Sequence, residues 1–198
     1  MRPDEAIYIP WVLWALSWTI AAAWANRTVN RPTTGSQMLY RLITIVGFFL
    51  LLAYVARRVP GWHVQPVFQL APIWSLADGI KWAMVGVASL GFLFCWWARI
   101  YLGALWSGSV TRKEGHRVVD TGPYAIVRHP IYTGIIIAAL ATMAIRGTAV
   151  AVAGATLIIA GYWIKSRLEE RFLRNELGAE AYDAYARKTA MLVPFVKL

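Results

Sequence analysis

The sequence predicts an all-α, polytopic membrane protein with about five transmembrane helices and a cytoplasmic, helical C-terminal tail. Three observations support this fold class: 59% of the 198 residues are hydrophobic, the mean hydropathy is +0.50, and only 15% of the residues are charged. A membrane-spanning helix needs about 20 mainly apolar residues, and several uncharged stretches approach that length. We therefore expect the chain in a membrane rather than in solution.

Five apolar stretches are candidates for the spans. They are residues 6–25, 42–56, 82–110, 130–145 and 147–164. The second stretch is short, but arginines that flank it can extend their charged heads to the interface. Only one residue separates the last two stretches, and a glycine begins the fifth. This short link predicts an antiparallel helical hairpin.

Residues 59–80 break the pattern of apolar stretches. Pro60, Pro66 and Pro72 recur at intervals of six residues, which rules out a continuous helix. The aromatic residues between these prolines favour a loop that lies at the membrane surface. At the other end, residues 165–198 are charged, with apolar residues four apart, and predict a helix lying on the membrane or on the protein.

The formal net charge of +10 comes from 20 Lys and Arg against 10 Asp and Glu. It could reflect nucleic-acid binding or the basic excess on the cytoplasmic side of a membrane protein. The basic residues fall between apolar stretches, so we predict a membrane lipid partner and no nucleic acid. With the C-terminus inside, 14 Lys and Arg lie inside and 5 outside. We expect a prokaryotic inner (plasma) membrane, with the N-terminus outside and the C-terminus cytoplasmic.

Two single residues in the third apolar stretch bear on function. Cys95 is the one cysteine, so no intramolecular disulfide and no cysteine-based zinc site can form; we predict a buried thiol and no metal. Arg99 is a charge within a span, which by default marks a candidate functional residue. We take Arg99 as a substrate-binding candidate; alternatively, its guanidinium only reaches the interface.

The segment GPYAIVRHPIYTG, residues 122–134, places polar groups at the start of the fourth span. Pro130 suits the first position of a helix. The free N–H groups of Ile131 and Tyr132 would then form an anion site together with the helix dipole. Gly134, one turn further on, would let a ligand approach the backbone closely.

The predicted hairpin brings the tail next to this segment, because the fifth span ends where the fourth begins. Glu169 and Glu170 lie there, and Arg167 can pair with Glu170 along the helix. Carboxylates can accept the hydroxyls of a ribose, while Arg128 and His129 add donors for an anion. Such a site would suit a small zwitterionic, nucleotide-like ligand. The alternative is a helix cap, an interfacial aromatic belt and a solvated acidic face.

The same residues resemble the isoprenylcysteine carboxyl methyltransferase family and the related phospholipid methyltransferases. The resemblance covers roughly the last 95 residues. It rests on a Gly-x-Tyr, an Arg-His-Pro-x-Tyr-x-Gly, an apolar hairpin, and a Glu-Glu helix that begins EERFLRNELGAEAYDAYARKTAMLVP. It divides the chain into residues 1–80, with N-terminal spans and an interfacial loop, and residues 81–198, a methyltransferase core.

The resemblance implies a membrane methyltransferase that uses S-adenosylmethionine. The family's H-x-L-V-x-x-G-x-Y motif reads here as residues 116–124. Ser109 stands where eukaryotic members have a glutamine, and Lys165 stands where they place a substrate-contacting arginine. The cofactor-binding candidates are His116, Arg117, Val118, Val119, Gly122, Tyr124, His129, Pro130, Ile131, Tyr132, Gly134 and Glu169.

The implied reaction is methyl transfer to a lipophilic acceptor, first of all the carboxylate of an isoprenylcysteine-like substrate. A carboxylate is ionised at neutral pH, so we predict no obligatory base; alignment and removal of water would supply much of the rate. An amine acceptor would instead pass its proton to a glutamate. The catalytic candidates are Arg128, Arg167 and Glu170, and the substrate-binding candidates are Lys165 and Arg99.

Other function classes stay open at this point. The first alternative is a phospholipid-type N-methyltransferase, and the second is a non-enzymatic membrane interaction protein whose polar cluster is only a cap. A reductase of lipid double bonds would require a nicotinamide site with basic residues for the 2′-phosphate. The absence of a G-x-G-x-x-G fingerprint in the sequence argues against a soluble Rossmann-type methyltransferase.

Overall fold

The computed structural model describes residues 1–24, 28–30, 32–52, 54–56, 64–66, 71–113 and 118–196. Residues 59–63 and 67–70 of the predicted interfacial loop at 59–80 therefore lie outside the described residues, as do the cofactor-binding candidates His116 and Arg117.

Helices dominate the described parts of the chain, and each of the five predicted spans overlaps a helix. Two predicted spans are longer than their helices: residues 54–56 of the second form a strand, and the α-helix of the third ends at Leu102. Four short strands form two antiparallel pairs, β1 (Thr28–Asn30) with β4 (Arg112–Lys113) and β2 (Tyr54–Ala56) with β3 (Val64–Pro66); the sequence patterns did not predict them. The α-helices are α1 (Pro3–Ala6), α2 (Tyr8–Ala21), α3 (Thr34–Leu52), α4 (Asp78–Leu102), α5 (Pro123–Ile126), α6 (Pro130–Arg146), α7 (Ala149–Leu177) and α8 (Ala179–Lys188).

Three helical segments of the described chain are long and apolar enough to cross a membrane. They are Gly35–Leu52, Asp78–Leu105 and Ala149–Glu176. The α6 helix is apolar but shorter. Large hydrophobic side chains are exposed along α2, α3 and α4, as expected for helices whose solvent is lipid.

The predicted hairpin between α6 and α7 is confirmed. Gly147 ends α6 in the left-handed region, with φ 59° and ψ 20°, a conformation that glycine adopts without steric cost. Its N–H donates to the carbonyl of Met143 at 2.9 Å. Thr148 then caps α7, where its hydroxyl accepts from the N–H of Ala151 at 3.2 Å. The turn thus satisfies backbone groups at both helix ends.

The α7 helix continues from Ala149 to Leu177, well past the predicted end of the fifth span at residue 164. No proline or glycine interrupts the sequence between Tyr162 and Leu177. Gly178, with φ 98°, stops the helix and starts α8. The expectation of a separate surface helix from residue 165 is therefore wrong for its first half. As a result, Glu169 and Glu170 sit on a rigid extension of the last long helix.

Two glycines allow α4 and α6 to cross at a short distance. A Cβ on Gly91 would lie 2.6 Å from the carbonyl oxygen of Gly134, and a Cβ on Gly134 would lie 2.6 Å from Cys95 Sγ. Small residues let membrane helices approach in this way. We expected Gly134 to open the backbone to a ligand; instead, α4 occupies that space. Cys95 is buried, as predicted, and its thiol donates to the carbonyl of Ile131 at 3.2 Å.

Candidate active site

A cavity opens where the start of α6 meets the second half of α7. It holds about 760 Å³ of empty space, a figure that includes its open mouth. The segment that follows α4 forms one wall, α5 and the first turn of α6 form the floor, and α7 with α8 closes the other side. Its lining residues are Leu102, Leu105, Trp106, Ser107, Thr111, Val118, Val119, Tyr124, Arg128, His129, Pro130, Ile131, Tyr132, Glu169, Leu173, Tyr182 and Tyr185.

The first turn of α6 is held by a C-terminal strap, which we define as residues 189–192. The N–H of Arg128 donates to the carbonyl of Ala190 at 2.8 Å, and the N–H of His129 donates to that of Met191 at 3.1 Å. One turn further on, the hydroxyl of Thr133 donates to the carbonyl of Leu192 at 2.7 Å. The strap therefore fixes the corner that places His129 and Pro130 in the cavity wall.

Glu170 is turned inward, where it binds the two basic residues of this corner. Arg128 Nε donates to Glu170 Oε1 at 2.6 Å, and their side chains are only 7% and 12% exposed. The same oxygen lies 3.2 Å from His129 Nε2. The guanidinium of Arg128 also donates to the carbonyls of Ala186 and Thr189. This pair therefore joins α7, α8 and the corner before α6.

Arg167 does not form the predicted pair with Glu170. It is exposed, and its guanidinium lies 6.0 Å from the centre of the Trp163 ring. The reason is the helical phase of α7, which turns Glu170 towards Arg128 and leaves Arg167 on the outer face. Arg167 does not belong to the described residues that line the cavity.

Glu169, the neighbouring carboxylate, faces the cavity. Its Oε2 accepts a hydrogen bond from the hydroxyl of Tyr132 at 2.7 Å, and its side chain is 25% exposed. Tyr132 is fixed by two stacking contacts, with His129 at 5.3 Å and with Tyr162 at 4.9 Å between ring centres. The two adjacent glutamates therefore have different environments. Glu170 lies inside an ion pair with Arg128, whereas Glu169 faces the cavity, with His129 Nδ1 3.8 Å from its Oε2.

The wall after α4 carries polar side chains that we did not predict as site residues. Trp106, Ser107 and Thr111 line the cavity there. Thr111 is 8% exposed, and its hydroxyl has no hydrogen-bond partner among the described residues. The sequence signal was the group of small polar residues at 107–111, of which only Ser109 entered our predictions; most of them fall within the predicted third span, which the helix α4 does not fill.

Two tyrosines of α8 complete the other side of the cavity, and they too were missed. Tyr182 and Tyr185 are three residues apart and so lie on one face of α8. The hydroxyl of Tyr185 donates to the carbonyl of Tyr124 at 2.8 Å. Burial raises the pKa of Tyr124, Tyr182 and Tyr185 well above that of a free tyrosine. All three phenols therefore stay protonated near neutral pH and can donate hydrogen bonds.

The substrate-binding candidates Arg99 and Lys165 are buried beside the cavity but do not line it. The guanidinium of Arg99 donates to the carbonyls of Ala21 and Gly103. The ammonium of Lys165 donates to the carbonyl of Gly108 at 2.9 Å. Gly122 also lies outside the lining; its φ of 58° serves the turn that begins α5.

The structure thus brings most of the described site candidates into one cavity. Gly122, Gly134 and Glu170 lie behind its wall, and Arg99, Lys165 and Arg167 point elsewhere, as set out above. The predicted residues that line it are Val118, Val119, Tyr124, Arg128, His129, Pro130, Ile131, Tyr132 and Glu169.

Comparisons with known proteins point to one family. Residues 84–175 match the family model described as the isoprenylcysteine carboxyl methyltransferase (ICMT) family, a segment that contains the cavity lining except the two tyrosines of α8. A probable protein-S-isoprenylcysteine O-methyltransferase of Oryza sativa subsp. indica is 31% identical over 86 residues, which are 43% of this chain and 44% of that protein. Protein-S-isoprenylcysteine O-methyltransferase B of Arabidopsis thaliana is 32% identical over 88 residues, 44% of each.

A bacterial relative aligns over more of the chain. Methanethiol S-methyltransferase 2 of Bradyrhizobium diazoefficiens is 28% identical over 157 residues, which are 74% of this chain and 58% of that protein. The chain thus spans less than half of the length of the two plant relatives.

Proposed function

We infer that the chain, whose residues 84–175 match the isoprenylcysteine carboxyl methyltransferase family model, is a member of that family, and its apolar helices make it an integral membrane protein. From this premise we propose that it transfers a methyl group from S-adenosylmethionine to a lipophilic acceptor. The proposal rests mainly on the cavity itself. In its lining, Tyr132 at the start of α6 donates a hydrogen bond to Glu169 of α7, and both residues lie in the matched segment.

The chemistry of the cavity fits S-adenosylmethionine, a ligand with a sulfonium cation, a ribose and a carboxylate. The carboxylate of Glu169 could accept ribose hydroxyls. The faces of Tyr124 and Tyr182 could contact the sulfonium. The hydroxyl of Thr111 is a buried polar group without a partner among the described residues, and such groups normally have one. A polar ligand in this cavity would supply it.

The chain's own contribution to the reaction would be alignment and exclusion of water. Bound S-adenosylmethionine supplies an activated methyl group. Leu102 and Leu105 on one wall and Leu173 on the other are apolar parts of the lining. Water exclusion and correct positioning favour an in-line displacement. Arg128 lines the cavity and would orient an acceptor carboxylate, while Glu170 holds Arg128 in place. A carboxylate acceptor would need no base.

The first acceptor that we propose is the carboxylate of an isoprenylcysteine-like molecule, in line with the family. The methanethiol S-methyltransferase relative, which aligns with 74% of this chain, favours a second candidate, methylation of a thiol sulfur. A phospholipid amine is a further acceptor class. Thiols and protonated amines must lose a proton. With such an acceptor, Glu169, the glutamate that lines the cavity, would take that proton instead of binding the ribose.

For the arrangement in the membrane, we propose that α2, α3, α4, α6 and α7 all cross it. The N-terminus would then lie outside and the C-terminus in the cytoplasm, because more Lys and Arg fall on that side. Residues 81–198 would form the methyltransferase core, and the membrane would be a prokaryotic plasma membrane. The cavity would open at the cytoplasmic leaflet, within reach of a lipophilic acceptor.

Calorimetry on the purified protein in detergent tests the proposal with Thr111→Val, which removes the unpartnered hydroxyl and keeps the side-chain shape. We expect the wild type to bind S-adenosylmethionine and the variant to bind it about tenfold more weakly. The thermal midpoint should stay unchanged or rise, since no described hydrogen bond is lost and a buried hydroxyl without a partner is removed. If the chain were a non-enzymatic membrane protein, neither the wild type nor the variant would bind S-adenosylmethionine. No binding at about 1 mM S-adenosylmethionine would refute the proposed function.

A radiolabelled methyl-transfer assay then separates the acceptors. The protein is offered a synthetic farnesylcysteine analogue, methanethiol, or a membrane lipid extract, and the labelled product is identified. Labelling of the farnesylcysteine carboxylate alone supports the first acceptor, whereas labelling of the thiol or of a lipid amine supports the corresponding alternative.

A further inference from the structure

Lys165 is a charged residue that is buried beside the cavity without lining it. Its side chain lies in a cage formed by three tyrosine rings, and it is only 8% exposed. The ammonium is 4.7 Å from the ring centre of Tyr132, 5.7 Å from that of Tyr40 and 6.0 Å from that of Tyr162. A buried ammonium requires such partners, because its desolvation is costly. Its charge is therefore directed into the protein rather than into the cavity.

The contacts of Lys165 reach both walls of the cavity. On one side, its ammonium donates to the carbonyl of Gly108 at 2.9 Å, and Gly108 lies between the lining residues Ser107 and Thr111. On the other side, the ring of Tyr132 faces the ammonium, and the hydroxyl of Tyr132 donates to Glu169 at 2.7 Å. One buried cation thus connects the segment after α4 with the cavity-facing carboxylate of α7.

We infer that Lys165 is a positioning residue that holds the two cavity walls at a set spacing, and that it is not a contact for the acceptor. The inference rests on the proposed function only for the identity of the ligand between the walls. Lys165 stands where the eukaryotic members place a substrate-contacting arginine, and the inference gives Lys165 a different role from that arginine. A compact ammonium on a flexible stem can bind a carbonyl inside a ring cage, whereas a planar guanidinium is shaped for a carboxylate.

A second buried cation binds the same wall from behind. Arg99 donates to the carbonyl of Gly103, and its guanidinium lies 4.6 Å from the centre of the Trp106 ring. The segment 103–111 is therefore held near its start by Arg99 and near its end by Lys165. Because Arg99 remains in place when Lys165 is changed, we expect only the end of the segment around Gly108 to be released.

Hydrogen–deuterium exchange tests the positioning role without any ligand. The variants are Lys165→Met, which keeps the stem and loses the charge, and Lys165→Arg, which keeps a cationic donor. Arg171→Met is the matched control, since Arg171 is exposed on the same helix. We expect exchange in residues 107–111 to become faster in Lys165→Met, to remain near wild type in Arg171→Met, and to be partly restored in Lys165→Arg. Exchange in residues 103–106, which Arg99 holds, should stay unchanged in all three.

Binding of S-adenosylmethionine by the same proteins supplies the second readout. We expect its Kd to rise by about tenfold in Lys165→Met, the factor expected when one hydrogen bond from a charged donor no longer orders the site. It should rise less in Lys165→Arg and stay unchanged in Arg171→Met. If Lys165→Met does not fold, Lys165→Gln takes its place, because it keeps an N–H donor without the charge.

Two results would overturn the inference. The first is exchange and cofactor Kd in Lys165→Met that match those of Arg171→Met. The second is a raised acceptor KM with unchanged exchange and unchanged cofactor Kd, which would make Lys165 a direct contact for the acceptor. A wild-type protein that does not bind S-adenosylmethionine would refute the proposed function, and the exchange measurement would still decide the role of Lys165.

Discussion

Exchanging each of the two adjacent glutamates for glutamine should separate stability from ligand binding. Glu170→Gln removes the charge that faces Arg128 at 2.6 Å and His129 at 3.2 Å. Glu169→Gln keeps the shape of a side chain that accepts one hydrogen bond, from the neutral hydroxyl of Tyr132. The two substitutions are chemically identical and one residue apart, so each is the matched control for the other.

From the structure, we expect the two substitutions to lower the free energy of unfolding by different amounts. Removing one partner of a buried ion pair costs about 3–5 kcal/mol. Arg128 keeps its bonds to two backbone carbonyls, and glutamine keeps an acceptor oxygen, so we expect about 2–3 kcal/mol for Glu170→Gln. At about 2–4 °C per kcal/mol for a protein of this size, its midpoint falls by about 4–12 °C. Glu169→Gln converts one hydrogen bond with a charged acceptor, from the hydroxyl of Tyr132, into a neutral one that glutamine still accepts, so we expect about 0.5–1.5 kcal/mol.

Thermal unfolding in detergent, followed by circular dichroism, measures the first effect, and calorimetry with S-adenosylmethionine below the midpoint measures the second. We expect Glu170→Gln to lower the midpoint more and Glu169→Gln to weaken binding more, because only Glu169 faces the cavity. The reasoning would be refuted if Glu169→Gln lowered the midpoint as much as Glu170→Gln, or if only Glu170→Gln weakened binding.

Two further substitutions test the packing of the helices by thermal unfolding. Gly134→Ala places a methyl group against α4 and should cost about 1–3 kcal/mol, whereas Gly86→Ala, with nothing within 4 Å of its added Cβ, should be neutral or slightly stabilising; equal midpoints would contradict the close crossing. Thr142→Val leaves the indole N–H of Trp11, now bonded at 2.9 Å, without its acceptor and should cost about 1–3 kcal/mol. Thr19→Val, at an exposed position, should cost less.

Local sequence patterns were sufficient for much of the fold. The apolar stretches predict the positions of the helices, because a membrane helix must satisfy its backbone internally over a fixed thickness. The single residue between the last two stretches predicts the hairpin, and Gly147 confirms it through its left-handed conformation. Pro130 begins α6 as expected, since a proline at that position loses no backbone hydrogen bond. Each of these predictions depends on neighbours close in sequence.

Other predictions failed where packing between distant segments decides the outcome. Gly134 could open towards a ligand or towards another helix, and only the position of α4 shows that it packs against Gly91. Glu170 could pair with Arg167 on its own helix, yet the phase of α7 directs it to Arg128. The sequence alone does not show which face of α7 is turned towards Arg128 and which is turned outwards.

The sequence by itself determined that this chain forms apolar helices, that a polar corner begins the fourth span, and that two glutamates follow the fifth. Only the tertiary structure decided which glutamate faces the cavity, that Lys165 is enclosed by tyrosines, and that Thr111, Tyr182 and Tyr185 belong to the same site. The physical reason is that helix formation depends on local backbone and hydropathy. The direction of a charged side chain depends instead on partners that other helices and the C-terminal strap bring to it.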